Sequence, residues 1–396
     1  MTRLMNQVRL FAWPEWIVVI YFLTFGLFPD IHGLLLIISL YGFTKLPIII
    51  RNASRDELQL FSAFIVYVVI ALFSFLFITE AEHAYRKLDK YLLFLWAIPL
   101  YAVLKNNKNL SVILRSIVPT IAIVICLAAI ISSVFLKQPR AMFYTANPLF
   151  FGYIAAVFSI FSLILTRTTT NKSLYYFGAI SGVVACILSG TRGALLGWFV
   201  GFIMILFSSG YLPSLTKKVL LMSLLAFAVA LSFVPDYTQR ISSSYKTIMN
   251  FEKYHNTSTG VRFQMWKASF EIFKQNPLLG VGIGAYQKEI HKMAVDDKSM
   301  KYMSRFDHPH NTFISSLVNT GLIGLFSLLL VFYIPFQYFY RHAKKLPQDP
   351  FVRMGIVFVS MMAVFGMTEA IFERQAIAAF YVFMIAILYS ISCQTE

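Results

Sequence analysis

Charged residues are scarce in this sequence, and acidic residues are the scarcest of them. Only 13% of the 396 residues are charged and 58% are hydrophobic, whereas soluble domains carry about 25% charged residues. Such a chain cannot cover an ordinary water-exposed surface. The 39 Phe and 21 Tyr also exclude intrinsic disorder, because disordered segments contain few hydrophobic or aromatic residues. The composition therefore predicts an integral membrane protein.

Cysteine is also rare, with Cys126, Cys186 and Cys393 as its three occurrences. They are too few and too scattered for a disulfide framework, and the first two lie inside apolar runs. They predict neither a redox site nor a metal site.

Long apolar segments divide the chain into about twelve predicted transmembrane helices. Each has roughly 20 residues, enough to cross about 30 Å of hydrocarbon. The predicted spans are 12–28, 31–50, 58–79, 88–104, 111–135, 148–166, 174–190, 192–208, 217–234, 312–340, 351–369 and 374–393. We therefore predict an all-α integral membrane protein with nine spans in residues 1–234, one large external loop at 235–311, and three spans with a short tail in 312–396.

The basic residues predict the orientation of these spans. With the N-terminus inside, the cytoplasmic segments hold 16 of the 34 Lys and Arg, and the short outer loops hold seven. The other 11 lie in the long external loop, which as a translocated domain is exempt from the positive-inside rule. Both termini are thus predicted to be cytoplasmic. The net charge is +16, which in a soluble protein would suggest binding to nucleic acid. Here the basic residues are explained by membrane topology and by the outer face, so no nucleic-acid partner is predicted.

The external loop contains a predicted amphipathic helix at 261–274. Its aromatic residues fall at helical spacing on one face, with polar residues on the other, and the preceding Ser258-Thr259 provides a threonine as a candidate N-cap. Such a helix should lie at the membrane interface or cover the mouth of the bundle. The aromatic residues are Phe263, Trp266, Phe270 and Phe273.

A glycine-rich segment, Gly-Val-Gly-Ile-Gly-Ala at 280–285, follows this helix. It nominally fits a dinucleotide-binding fingerprint, but no strand precedes it and no βαβ unit surrounds it. We interpret it as a flexible turn that returns the chain to the bilayer.

Asp307-His308-Pro309-His310-Asn311 stands directly before the tenth predicted span. Two His and one Asp offer a metal-binding alternative, but no third or fourth ligand has a recognisable spacing, so no metal is predicted. Asn311 or Asp307 is suited to cap the following helix. Imidazole, with an ordinary pKa near 6.5, can also act as a base at neutral pH.

Charged residues also gather at the outer helix ends, at Arg192, Arg262, Glu369 and Arg374. A lone arginine at the hydrocarbon edge is usually explained by snorkelling, but four such positions on one side indicate a site. Glu369 and Arg374 either pair to close the short outer turn or face a cavity. The middles of the spans hold almost no ionisable residues, which disfavours ion-coupled transport. Because guanidinium groups bind phosphate in bidentate fashion, the outer face suits a lipid with a phosphate linker and a polar head.

Four runs of this sequence resemble the O-antigen ligase/polymerase superfamily of bacterial inner membranes. They are LSGTRGA at 188–194, GVR at 260–262 with Trp266, NPLLGVG at 276–282, and HPHN at 308–311 followed by GLIG at 321–324. The resemblance implies transfer of an O-antigen polysaccharide from undecaprenyl pyrophosphate to a sugar hydroxyl of lipid A-core. The reaction would be an inverting glycosyl transfer at the periplasmic face, without a metal or other cofactor.

The resemblance also implies roles for individual residues. Arg192 and Arg262 would bind the pyrophosphate, Arg374 would be a further periplasmic arginine, and His310 would be the catalytic base. His308 and Asn311 would support that base, and we add Glu369 as an orienting carboxylate. The large loop and the His-x-His-Asn motif favour a ligase over a polymerase of the same superfamily. A flippase or transporter of lipid-linked glycans is the alternative outside the enzyme class.

Overall fold

The structure is a computed structural model that describes residues 13–25, 27–28, 33–77, 81–143, 147–208, 257–296 and 298–394, with isolated positions between 218 and 249. Apart from those isolated positions, the predicted ninth span at 217–234 and the first part of the predicted loop, 235–256, lie outside the described residues.

Every regular element of the described residues is helical, as the sequence predicts. Three short 3₁₀ helices accompany the longer ones, at Phe75–Phe77, Lys298–Arg305 and Ile371–Glu373. Numbered along the chain, the helices are α1 Trp13–Phe25, α2 Gly33–Phe43, α3 Leu46–Arg51, α4 Arg55–Ser74, α5 Ala81–Leu104, α6 Leu110–Ile130, α7 Pro148–Leu165, α8 Lys172–Leu188, α9 Arg192–Phe207, α10 Ser258–Gln275, α11 Tyr286–Asp296, α12 Thr312–Lys345, α13 Pro350–Thr368 and α14 Gln375–Ser392.

Six of these helices are long and apolar enough to cross a membrane: α4, α6 with its π-helical extension to Phe135, α7, α12, α13 and α14. Shorter apolar helices are α1, α8 and α9. The all-α membrane class is therefore confirmed. Each predicted span within the described residues contains helix, but the predicted single span at 31–50 is two helices, α2 and α3, and α5 begins seven residues before its predicted start at 88. The count of twelve and the periplasmic placement of the loop stay predictions.

Helices α7 and α14 form the centre of the bundle. Nearly all of their residues are buried, as expected for a helix that is hydrophobic on every side. The ring of Phe158 on α7 packs 5.8 Å from Phe22 on α1 and 6.1 Å from Phe380 on α14, measured between centroids. Aromatic packing thus joins the first described helix to the last.

Helix α12 is interrupted at Gly321, where φ is 66° and ψ is −161°. The glycine-rich segment pairs with this interruption through backbone hydrogen bonds. Val281 N donates to Val318 O, and Leu322 N donates to Pro277 O, both at 2.9 Å. A Cβ at Gly321 would lie 2.3 Å from the Leu278 carbonyl group. The prediction of a flexible turn was wrong, because these bonds hold the segment against the unwound turn of α12.

Helix α10 differs from its prediction in its cap and in its buried face. Its N-cap is Thr257, whose side chain accepts a hydrogen bond from Gly260 N at 3.1 Å, and not the predicted Thr259. The face that packs on α11 and α12 carries Met265, Ala268 and Ile272. Small and aliphatic side chains let these helices approach closely, so the predicted aromatic face is left partly exposed.

Candidate active site

Asn311 anchors the His-x-His-Asn motif at the start of α12. Its side-chain oxygen accepts hydrogen bonds from Phe313 N at 2.9 Å and Ile314 N at 3.1 Å, which confirms Asn311 as the N-cap. Its amide nitrogen donates to Met367 O at 3.0 Å. One side chain thus joins the beginning of α12 to the end of α13.

The backbone of His310 is left-handed, with φ of 51°, a conformation that costs a non-glycine residue about 1–3 kcal/mol. Two contacts hold this turn. His310 N donates to His308 Nδ1 at 3.2 Å, and Trp266 Nε1 donates to Pro309 O at 2.9 Å. The second contact comes from α10, so this helix helps to set the position of the imidazole.

Glu369 faces His310 from the end of α13. Both carboxylate oxygens lie 3.0 Å from His310 Nδ1, and the Glu369 side chain is fully buried. Because an ionised carboxylate only accepts hydrogen bonds, Nδ1 carries the proton in this contact. With Nδ1 as the donor to Glu369, Nε2 is the ring nitrogen that can accept a proton. This arrangement is that of a general base oriented by a carboxylate.

Three other cationic or titratable groups surround the same carboxylate. Glu369 Oε2 lies 3.8 Å from Arg262 Nη2, and Oε1 lies 3.6 Å from His308 Nε2 and 4.0 Å from Arg374 Nη2. The Arg374 Nη2 atom is in turn 3.4 Å from His308 Nε2. Of the two predicted arrangements, the structure shows the pairing of Glu369 with Arg374 at 4.0 Å, and the same buried carboxylate is turned toward the histidines.

The surroundings shift the pKa of two groups in the cluster. Burial by itself raises the pKa of Glu369, but the His310 hydrogen bond and the nearby charges of the histidines and Arg374 outweigh it and lower the pKa to about 2. Burial lowers the pKa of His308 and outweighs the raising effect of nearby carboxylates, Glu373 foremost. At neutral pH the cluster therefore holds an ionised Glu369 beside a neutral His308.

Arg262 and Arg192 approach this cluster from different helices. Arg262, on α10, donates through Nη1 to Thr368 O at 2.7 Å. Arg192, the first residue of α9, donates to Ser258 Oγ at 3.0 Å. A Cβ at Gly193 would lie 2.3 Å from Thr368 Oγ1, so glycine lets the start of α9 pack against the end of α13. The structure thus brings both predicted arginines to the end of the bundle that holds His310.

The turn before Arg192 is held by an arginine that the sequence did not single out. Arg140 donates from Nε to Ser189 O at 2.9 Å and from Nη2 to Thr191 Oγ1 at 3.0 Å. It lies 49 and 51 positions from these partners, and no local pattern marks it. Arg140 therefore helps to set where α9 begins.

Lys87 and Glu373 form a second pair beside the motif. Lys87 Nζ lies 2.6 Å from Glu373 Oε2 and donates to Asp307 O at 2.7 Å. Sequence reasoning counted Lys87 only among the basic residues of the outer loops and gave Glu373 no role. Asp307 and Glu373 lie 220 and 286 positions away from Lys87, so no local pattern could have revealed these contacts.

Ligand atoms of His308, His310 and Glu369 lie within 4.8 Å of one another, close enough to hold a metal ion. Arg262 and Arg374 stand beside the same carboxylate, and their positive charges oppose a divalent cation there. The fold thus supplies the third ligand that the sequence spacing lacked, whereas the two arginines disfavour a divalent cation at this site.

Residues 177–329 match the family model described as O-Antigen ligase. This match covers less than half of the chain. The matched segment contains Arg192, Arg262 and His310, and the resemblance seen in the sequence is thereby confirmed. Glu369 and Arg374 lie beyond the matched residues, and the fold brings them to His310 and Arg262 of the matched segment.

Two relatives extend the similarity. An uncharacterized protein of Haemophilus influenzae is 26% identical over 345 residues, which cover 82% of this chain and 84% of the relative. Exopolysaccharide production protein ExoQ of Rhizobium meliloti is 34% identical over 121 residues, which cover 30% of this chain and 26% of ExoQ. This chain is therefore similar to the first protein over most of its length, and to the second over a limited segment.

Proposed function

We propose that this protein is an O-antigen ligase. It transfers the O-antigen polysaccharide from undecaprenyl pyrophosphate to a sugar hydroxyl of lipid A-core at the periplasmic face of a bacterial inner membrane. The observation that carries the proposal is the buried Glu369 bound to His310 Nδ1, with Arg262 and Arg374 at the same carboxylate. This geometry combines a general base with cationic groups for a pyrophosphate.

In the proposed reaction, His310 Nε2 accepts the proton of the acceptor hydroxyl. The hydroxyl oxygen then attacks the anomeric carbon of the first donor sugar, and the bond from that carbon to the pyrophosphate oxygen breaks with inversion. The buried Glu369 stabilises the imidazolium that forms, because a carboxylate beside a protonated imidazole is favoured in a low-dielectric environment. The released proton remains on His310 until the site opens to water.

Arginine side chains accept the charge that develops on the leaving group. Arg192, Arg262 and Arg374 reach the same end of the bundle, and guanidinium groups stay charged at a membrane boundary. Their planar donors bind phosphate oxygens in pairs, so the departing undecaprenyl pyrophosphate is stabilised without a metal ion.

The topology is part of the proposal. Residues 1–234 carry nine spans, residues 235–311 form the periplasmic loop, and residues 312–396 carry three spans and a cytoplasmic tail. The bias of basic residues supports cytoplasmic termini. The starts of α9 and α12 meet the end of α13, which supports a site at one membrane face.

The test is complementation of a strain that lacks this gene. We expect His310→Ala to leave lipid A-core without O-antigen on a lipopolysaccharide gel, while its amount in the membrane matches the wild type. His291→Ala is the matched control, because His291 lies exposed on α11, and it should restore the full ladder. A full ladder from His310→Ala would refute the proposal.

A polymerase is the second candidate, favoured by the similarity to an exopolysaccharide production protein. A polymerase uses the same class of donor and differs in its acceptor. The gel of the deletion strain separates the two. Loss of a ligase leaves core without O-antigen, whereas loss of a polymerase leaves core with a single repeat.

A further inference from the structure

We propose that Lys87 is a positioning residue for the transfer reaction, which holds the turn of His308 and His310 in place. This inference rests on the proposed function. The Lys87 ammonium on α5 donates to Asp307 O at 2.7 Å and to Glu373 Oε2 at 2.6 Å. It therefore ties the turn before α12 to the turn after α13.

The Lys87–Glu373 pair is removed from water. The exposed fractions of the two side chains are 6% and 8%, and Glu373 also accepts a hydrogen bond from Ser315 on α12. Burial raises the pKa of Glu373, but Lys87 and other neighbours outweigh it and lower the pKa, which keeps the carboxylate ionised. A buried ion pair requires close geometry to offset desolvation, so this contact fixes the position of three elements.

The turn needs such a constraint because its backbone is strained. His310 has φ of 51°, and strained residues persist where surrounding contacts over-determine them. The carbonyl of Pro309 is held by Trp266, and that of Asp307 is held by Lys87. These two contacts lie on either side of His308, whose Nδ1 accepts a hydrogen bond from His310 N.

Lysine suits this position for a chemical reason. Its ammonium has three donors and can serve a carbonyl and a carboxylate together. Lys87 reaches the turn through the backbone of Asp307, so its effect on the base passes through the position of the turn. A small displacement of a catalytic group can lower the rate about 100-fold.

A merely structural ion pair and a positioning residue predict different kinetics. If the pair only stabilises the fold, activity follows the amount of folded protein, and each folded molecule reacts at the normal rate. If Lys87 positions the base, the folded variant has a lower kcat, while the KM for the lipid-linked donor is unchanged, because the arginines that bind the donor remain.

The experiment uses the full-length protein in lipid nanodiscs with a lipid-linked O-antigen donor and lipid A-core. Lys87→Gln with Glu373→Gln removes both charges, so neither is left buried and unpaired. We expect a melting temperature close to that of the wild type, kcat lower by about 10-fold to 100-fold, and KM for the donor within about twofold. Lys90→Gln on the same helix is the matched control and should match the wild type.

Hydrogen exchange over residues 306–312 tests whether Lys87 holds this turn, and the measurement does not depend on catalytic activity. We expect faster exchange of these amides in the double variant and unchanged exchange in Lys90→Gln. A double variant with wild-type exchange or wild-type kcat overturns the role of Lys87. If the wild type itself transfers no glycan, the proposed function fails. Hydrogen exchange alone then tests whether Lys87 holds the turn. If the double variant does not fold, a second variant replaces the pair by apolar side chains, Lys87→Met with Glu373→Leu. The same two measurements, kcat and hydrogen exchange, then test the role of Lys87.

Discussion

Glu369 accepts a hydrogen bond from His310 Nδ1 across 59 positions of sequence, with both carboxylate oxygens at 3.0 Å. Thr312 joins the same two chain segments, because its hydroxyl donates to Glu369 O and accepts from Ile371 N, both at 2.9 Å. The meeting of α12 and α13 therefore places a buried anion behind the proposed base. Four predictions follow from this geometry and from the packing around it.

Replacing Glu369 by Gln should lower kcat by about 10²- to 10⁴-fold, the range typical of general acid–base contributions. The amide keeps the shape but cannot stabilise a protonated His310. Initial rates with a lipid-linked donor measure the effect. Glu271→Gln is the control, since Glu271 is exposed on α10 and pairs with Lys274. Equal kcat for Glu369→Gln and the wild type would contradict the orienting role.

Replacing Arg262 by Lys should lower kcat/KM for the donor by about 10-fold to 100-fold, which corresponds to the loss of a charged hydrogen bond of about 1.5–3 kcal/mol. Lysine keeps the charge but loses the planar pair of donors. Arg305→Lys is the control, because Arg305 is exposed outside the cluster. An Arg262→Lys enzyme that binds and transfers the donor normally would rule out bidentate recognition by this residue.

Acidification should destabilise the protein in two stages. The pKa of His308 is lowered from its ordinary 6.5, so its contribution to stability is present above pH 6.5 and is lost as the pH falls below that value. The pKa of Glu369 is lowered from 4.5 to about 2, so its contribution is lost between about pH 4.5 and 2. Thermal unfolding in detergent between about pH 7.5 and 2 measures both stages. His308→Asn should remove the first stage and Glu369→Gln should reduce the second. If the melting temperature of the wild type rises as the pH falls from 6.5 to 4.5, the predicted direction of the His308 effect on stability is wrong.

Replacing Gly321 by Ala should lower the free energy of unfolding by about 2 kcal/mol or more. The new Cβ would lie 2.3 Å from the Leu278 carbonyl group, and φ of 66° strains any L-residue. Gly33→Ala is the matched control, since a Cβ there meets no atom within 4 Å. Thermal unfolding compares the two variants. Equal stability would mean that the glycine-rich segment does not depend on close contact with α12.

Part of the candidate site could be predicted because its signals are local. Asn311 caps the helix that begins one residue later, and such a cap depends on the next few residues alone. His310, Arg192 and Arg262 stand in short motifs that can be read without a fold. The same local reasoning failed for α10, where the N-cap is Thr257 and the buried face carries Met265, because the partner helices determine which face is covered.

The sequence by itself determined the class of this protein, since hydropathy is averaged over about 20 residues and needs no knowledge of contacts. It also identified the His-x-His-Asn motif and the outer arginines as the chemically important positions. Only the tertiary structure decided that Glu369 lies behind His310, that Lys87 holds Asp307, and that the glycine-rich segment fills the break in α12. These relationships join residues from 37 to 220 positions apart, and the packing of helices, not local chain preference, sets such distances.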